Sequence, residues 1–97
     1  MKSELSIASI KRLSGPILRR AGIKRASLFG SYATGLAKRK SDVDILFVPP
    51  SRFGLFELVG LSYDLKRALG TSVDLVTERA LHPLLRSRVK KESKKIL

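Results

Sequence analysis

Three aspartates occupy strand-like positions where apolar residues are expected. Asp42 and Asp44 flank Val43 at the start of the run SDVDILFV, and Asp74 lies in the shorter run TSVDLVTE. Side chains two residues apart on a strand project from the same face, so Asp42 and Asp44 can bind one ion together. Neighbouring carboxylates raise each other's pKa, and a divalent cation removes that penalty. Oxygen ligands without cysteine or a nearby histidine favour Mg²⁺.

A glycine–serine pair, Gly30 and Ser31, follows the apolar run that ends at Phe29. A tight turn at a strand end presents backbone N–H groups and a hydroxyl to phosphate oxygens. Two magnesium ions beside such a turn can align the attacking and leaving oxygens of a phosphoryl-type displacement. Each feature alone is an ordinary turn or capped loop. The turn and the three acids together predict a site for metal and phosphate.

The composition predicts a single domain over residues 1–97 that folds around one core without disulfides, because the chain contains no cysteine. No apolar run approaches the roughly 18 residues that a membrane span needs. The N-terminus MKSELSIASIKR lacks the apolar segment of a signal peptide. We therefore expect a cytoplasmic protein with no membrane partner.

The net charge of +12 comes from twenty Lys and Arg residues against eight acids. Such a charge favours nucleic acid, nucleotide phosphates or an acidic partner surface. The basic residues are spread along the chain and there is no Trp, so stacking platforms for single strands are hard to build. A heavily solvated surface is an equal alternative to a nucleic-acid patch.

In the first half, apolar spacing predicts a helix over residues 4–21, with Gly15-Pro16 causing a kink or dividing it into two short helices. Gly22 ends the helix, and residues 23–29 form the first strand. A glycine-punctuated loop follows, in which Ser31 can cap a short turn of helix. The basic run Lys38-Arg39-Lys40 is predicted to be exposed in this loop.

In the second half, residues 42–48 are predicted to form a central strand, apolar on both faces. Residues 53–69 form a helix, and its predicted buried stripe consists of Leu55, Leu58, Val59, Leu65 and Leu69. Residues 72–77 form a third strand, parallel to the second because a helix connects them. A basic amphipathic helix over 80–95 closes the chain, with Pro83 in its first turn, His82 capping it or on the surface, and Ile96 at its helical spacing.

The segments GSYATG, SDVDILF and VDLV resemble the three-part signature of nucleotidyltransferases of the DNA polymerase beta superfamily. The small size and the ending ALHPLLRSRVKKES are similar to the minimal nucleotidyltransferase (MNT) group. Members of that group act as antitoxins to HEPN-domain ribonucleases. The resemblance implies an α/β (α+β), polymerase beta palm-like fold: a small mixed sheet of about three to four strands against helices, its first two motif strands antiparallel.

The resemblance also implies roles for individual residues. Gly30 and Ser31 contact the nucleotide phosphates, and Asp42 and Asp44 bind the magnesium ions. Asp74 is the third acid, which helps to hold the catalytic metal and accepts the proton of the attacking hydroxyl. The family reaction transfers AMP from ATP to a hydroxyl, which in the MNT antitoxins is a tyrosine of the toxin.

One position departs from the family signature. Many members read GSxARG, whereas Thr34 stands at the arginine position here. The resemblance therefore leaves two outcomes: a residue of the run Lys38-Arg39-Lys40 replaces the missing cation, or activity is weak.

A chain of this size has no room for a separate acceptor-binding domain, so a second polypeptide is expected to present the hydroxyl in a hetero-oligomer. The helix over 53–69 or the terminal helix could supply the apolar part of that interface. Two other functions stay open: a non-catalytic antitoxin that neutralises its toxin by binding, and a nucleotidyltransferase or binding protein acting on RNA. Nucleic acid is a possible partner, not a required one.

Overall fold

The computed structural model describes residues 5–37 and 41–97. Within them the helices are Ile7–Arg20 (α1), Ser31–Thr34 (α2), Leu55–Leu69 (α3) and Pro83–Glu92 (α4). The strands are Arg25–Phe29 (β1), Val43–Val48 (β2), Val73–Thr77 (β3) and Lys94–Lys95 (β4). A 3-10 turn, Glu78–Ala80, follows β3. The predicted basic loop of Lys38, Arg39 and Lys40 lies outside the described residues.

The four strands form one mixed sheet in the order β3-β2-β1-β4. Strand β1 is antiparallel to both β2 and β4, whereas β2 and β3 are parallel and joined through α3. The structure thus confirms the small mixed sheet, the antiparallel pairing of the first two motif strands and the parallel pair. It also confirms the interior position of β2, which explains why this strand is apolar on both faces.

The core lies between one face of the sheet and helices α1 and α3. On β2 the alternate residues Val43, Ile45 and Phe47 are fully buried on this face, as the two-residue period of a strand requires. Leu18 of α1 and Leu65 of α3 cover them and are also fully buried. The opposite sheet face carries Asp44, Leu46 and Val48, and it is the face on which the acids stand.

Helix α1 runs continuously through Pro16, so the prediction of two short helices was wrong. A capping box starts the helix: the Ser6 side chain accepts a hydrogen bond from the backbone N–H of Ser9, and the Ser9 side chain accepts one from that of Ser6. Ile10 and Leu18, on either side of Pro16, are both fully buried. Burial of both turns offsets the hydrogen bond that the proline cannot make.

Helix α3 buries part of the predicted stripe. Leu65 and Leu69 face the core as predicted, together with Leu61, and Leu58 is partly buried against the core.

Two members of the predicted stripe are exposed. Leu55 and Val59 are 76% and 60% exposed, and the neighbouring Phe56 and Tyr63 are 90% and 61% exposed. The prediction was wrong at Leu55 and Val59 because α3 carries apolar residues on two faces, and only the packing of the sheet decides which face is inside.

The C-terminal segment is not one helix. A 3-10 turn precedes α4, which ends at Glu92, and residues 94–95 then form the short strand β4 against β1. Ile96 is 1% exposed in the core, and its N–H donates to the carbonyl of Ala26 at 3.0 Å. Helical spacing misplaced Ile96 because the open edge of β1, which no sequence pattern reveals, binds the chain there in extended form.

His82 caps α4 as predicted: its Nδ1 accepts a hydrogen bond from the Leu84 N–H at 3.1 Å. Pro83 takes the first turn of that helix, where its missing N–H costs nothing. Gly22 follows α1 with positive φ, in agreement with its predicted role as a helix stop, and Gly70 ends α3 in the same left-handed conformation. Among residues 5–37 and 41–97, no helix is long and apolar enough to cross a membrane.

Candidate active site

Asp44 and Asp74 stand side by side on neighbouring parallel strands. Their Cα atoms are register partners in the β2–β3 ladder, and strands in a sheet are about 4.8 Å apart. Register partners project from the same face, which is the face opposite the core. Asp42 lies directly before β2, two residues from Asp44, and so belongs to the same side of the chain. The fold therefore pairs Asp44 with Asp74 and keeps Asp42 near enough for its charge to act on Asp44.

The pKa of Asp44 is raised above its ordinary value of 3.8. Partial burial is the largest cause, followed by the negative charge of Asp74 and then that of Asp42. Both effects disfavour the ionised carboxylate, because burial removes water and like charges repel. A cation at this position would relieve the repulsion.

Gly30 lies against the carboxylate of Asp44. A Cβ built on this glycine would overlap with Asp44 Oδ2 and lie 3.2 Å from its Cγ. The backbone of Gly30, with φ of 72° and ψ of −149°, is in a region that side chains essentially exclude. Two independent constraints therefore require glycine here, and the glycine–serine turn touches the acids.

Ser31 begins α2 and is not its cap: Gly30 is the N-cap and provides no side chain, so the predicted capping by Ser31 was wrong. The Thr34 hydroxyl lies 3.2 Å from the Gly30 carbonyl and 3.4 Å from that of Ser31, and it donates to these groups. Thr34 thus reinforces the short helix and brings no positive charge to the turn.

The acids supply the oxygen ligands that Mg²⁺ prefers. Within the described residues, no three His, Cys, Asp or Glu side chains are gathered into a group that could hold a metal ion. Asp44 and Asp74 are nonetheless adjacent, and Mg²⁺ is commonly bound by one or two carboxylates together with waters and substrate phosphates. The two carboxylates therefore fit a magnesium ion that is also bound by nucleotide phosphates better than one that is bound by protein side chains alone.

A cavity of about 490 Å³ lies on the same sheet face as Asp44, between that face and α4. Leu46 and Val48 of β2 contribute to its lining, together with Arg79, Arg86 and Lys90. Sequence reasoning did not identify these basic residues, because charges on a terminal helix are usually solvated. The available signal was Leu46 itself, an apolar residue on the face that bears Asp44, which requires some covering segment.

Asp44 and Asp74 on adjacent strands, beside the glycine–serine turn at the end of β1, are the kind of groups that nucleotidyl transfer requires, and they indicate that class of protein. The model of the nucleotidyltransferase domain family matches residues 10–96. The chain belongs to the nucleotidyltransferase domain family.

Relatives agree with this assignment. The chain is 44% identical over 93 residues to the Methanocaldococcus jannaschii protein named "Putative protein adenylyltransferase MJ0435", covering 96% of this chain and 100% of that one. A solved structure described as a "putative minimal nucleotidyltransferase" has a TM-score of 0.80 and 32% identity, covering 95% of this chain and 97% of that chain. Another, of a toxin–antitoxin with AMP-PNP, has a TM-score of 0.77 and 28% identity, covering 90% and 72%.

Proposed function

We propose that this chain is a magnesium-dependent adenylyltransferase that transfers AMP from ATP to a hydroxyl of a partner protein. The observation that carries the proposal is the register pairing of Asp44 with Asp74, with Gly30 packed against the Asp44 carboxylate. The name of the Methanocaldococcus relative supports a protein acceptor. The ATP analogue in the toxin–antitoxin structure supports ATP as the nucleotide.

Each residue of the proposed site has its own role in the transfer. Gly30 and Ser31 bind the nucleotide phosphates through backbone N–H groups and the serine hydroxyl. Asp44 and Asp74, with Asp42 beside them, would hold magnesium together with the nucleotide phosphates, and the bound metal would neutralise phosphate charge during the transfer. The acceptor oxygen bonds to the α-phosphorus, and the bond from that phosphorus to the bridging oxygen breaks and releases pyrophosphate. Asp74 accepts the proton of the attacking hydroxyl.

The proposed partner is a HEPN-domain toxin, modified on a tyrosine within a hetero-oligomer. The sequence signature supports this choice, and so does the likeness to a toxin–antitoxin structure. Helix α3 offers an apolar surface for such a partner, since Leu55, Phe56, Val59 and Tyr63 are all more than half exposed. Tyr63, Val59 and Asp74 also line one groove of about 440 Å³. A partner docked on α3 would thus sit beside a catalytic acid.

We predict that mixing the chain with a HEPN-domain partner, magnesium and ATP labelled at the α-phosphate will label the partner. Asp44→Asn should lower the rate by about 100-fold or more, because it removes a ligand that acts on the transition state. Labelling is measured by gel autoradiography. Asp64→Asn is the matched control, since Asp64 is an exposed aspartate on α3. Full labelling by the Asp44 variant, or equal losses in both variants, would contradict the proposal.

Thr34 favours a second function, in which the chain neutralises its partner by binding alone. Its hydroxyl is directed to backbone carbonyls and supplies no cation to the phosphates. In this case Asp42→Asn combined with Asp44→Asn would still protect cells that express the toxin. Loss of protection in the double variant, with complex formation retained, would favour catalysis over binding.

A further inference from the structure

The cavity between α4 and the open sheet face has a defined chemistry. Its apolar lining includes Leu46, Val48 and Leu81, and its cationic lining consists of Arg79, Arg86 and Lys90. We call this cavity the cationic cleft. Its volume of about 490 Å³ falls in the range of sites that bind small molecules or single side-chain groups.

The charge of the cationic cleft is not neutralised from within. Glu78, the one acid among the described residues that line the cleft, pairs with Arg25 at 3.3 Å. The guanidinium of Arg86 is held by the carbonyls of Leu81 and Arg79, at 3.3 and 3.5 Å, so it is positioned without losing its charge. In the described part of the chain, none of the three cleft cations takes part in a salt bridge.

The cationic cleft begins immediately beside the acids. Leu46 follows Asp44 by two residues on the same face of β2, a distance of about 7 Å along the strand. Gly30 directly follows β1, which is antiparallel to β2. It therefore contacts Asp44 from the side that lies toward the start of β2. The acids therefore lie between the Gly30–Ser31 turn and the cationic cleft.

An in-line displacement places the leaving group and the attacking hydroxyl on opposite sides of the reacting phosphorus. The two sides of the acids would therefore bind different substrates. If pyrophosphate leaves from the phosphate held at Gly30 and Ser31, the attacking hydroxyl must approach from the opposite side of the α-phosphorus. The cationic cleft lies on the far side of Asp44 from Gly30, because Leu46 follows Asp44 along β2 whereas Gly30 lies toward the start of that strand. The cleft is thus placed to receive the acceptor and not the leaving group.

We propose that the cationic cleft is the acceptor subsite and that it selects a tyrosine flanked by acidic side chains. The aromatic ring would pack on the apolar lining, and the neighbouring carboxylates would pair with Lys90 and the two arginines. A peptide fits better than an RNA strand, because the described lining residues include no aromatic side chain on which a base could stack. This inference rests on the proposed adenylyl transfer to protein.

The test uses the full chain, magnesium, labelled ATP and three short peptides that carry one tyrosine between glutamates, glutamines or lysines. We expect kcat/KM to be at least about fivefold higher for the glutamate peptide than for the glutamine peptide, and lowest for the lysine peptide. Lys90→Glu should reverse the order of the glutamate and lysine peptides. It should leave the KM for ATP unchanged.

Lys91→Glu is the matched control, because Lys91 is the next residue on α4, is exposed and does not line the cleft. It makes the same change in net charge and should retain the wild-type order of peptides. Equal rates for the three peptides, equal effects of the two variants, or a raised KM for ATP in Lys90→Glu would overturn the cleft proposal alone. Transfer to an RNA 3′ hydroxyl but to no peptide would assign the cleft to nucleic acid. Transfer to no acceptor of any kind would remove the proposed function as well.

Discussion

Gly30 packs so closely against Asp44 that Asp44 Oδ2 occupies the position that a Cβ on residue 30 would take. Gly30→Ala should destabilise the fold by roughly 3 kcal/mol, because the backbone there is strained for any L side chain and the carboxylate must also move. AMP transfer should fall with it, since the displaced carboxylate is a proposed metal ligand. Denaturant unfolding and the labelling assay measure the two effects.

Gly35→Ala tests the backbone strain of an alanine at positive φ without the steric overlap that Asp44 causes at residue 30. Gly35 also has positive φ, of 80°, but among the described residues no atom lies within 4 Å of the position that a Cβ would take there. This variant should cost only about 1 to 2 kcal/mol, the penalty of a left-handed L residue. If both alanine variants lose equal stability and equal activity, the contact between Gly30 and Asp44 is not what requires glycine at residue 30.

The raised pKa of Asp44 predicts a gain in stability when its charge is removed. The folded chain binds the Asp44 proton more tightly than the unfolded chain does, so the charge destabilises the fold as the pH rises through the raised pKa. Asp44→Asn should therefore raise the Tm at neutral pH in the presence of a chelator. The gain should stay below about 1 kcal/mol, because the side chain is partly solvated.

Thermal melts over a range of pH check this sign. The advantage of Asp44→Asn should shrink as the pH falls and the wild-type carboxylate takes up its proton. Magnesium with ATP should stabilise the wild type more than the variant. A variant that melts below the wild type at neutral pH would show that Asp44 stabilises the fold through contacts that outweigh its repulsion by Asp74 and Asp42.

Among the elements, the residues that follow the short strand β4 hold this end of the chain against the sheet: Ile96 lies in the core and Leu97 is partly buried against it. Ile96 is 1% exposed, so Ile96→Ala should destabilise the fold by about 2 to 5 kcal/mol, from lost burial and the cavity left behind. Leu84→Ala on α4 is the control: this leucine is 84% exposed, and its truncation should change stability by less than about 0.5 kcal/mol. Urea unfolding gives both values, and a small loss for Ile96→Ala would mean that the last residues are not part of the core.

Across the whole molecule, one face of the sheet packs against α1 and α3, and the other carries Asp44, Asp74 and the cationic cleft. On that second face the acids and the Gly30–Ser31 turn occupy one end, and the cationic cleft occupies the other. The net charge of +12 adds a field that attracts both ATP and an acidic partner. In the proposed function an anionic nucleotide would lie between the acids and the cationic cleft, so that a strongly basic chain could hold a nucleotide at an acidic site.

The sequence alone determined the residues that could do chemistry and the strands that hold them. The two-residue spacing of Asp42 and Asp44, the apolar run after them and the helix before Asp74 are local patterns, and local patterns specify strand, helix and parallel connection. Only the tertiary structure decided the strand register that sets Asp74 beside Asp44 and the face that α3 buries. It also decided that Ile96 enters the core and that α4 covers the open sheet face to form the cationic cleft. These features arise from pairing and packing between segments distant in sequence, which a one-dimensional periodicity does not record.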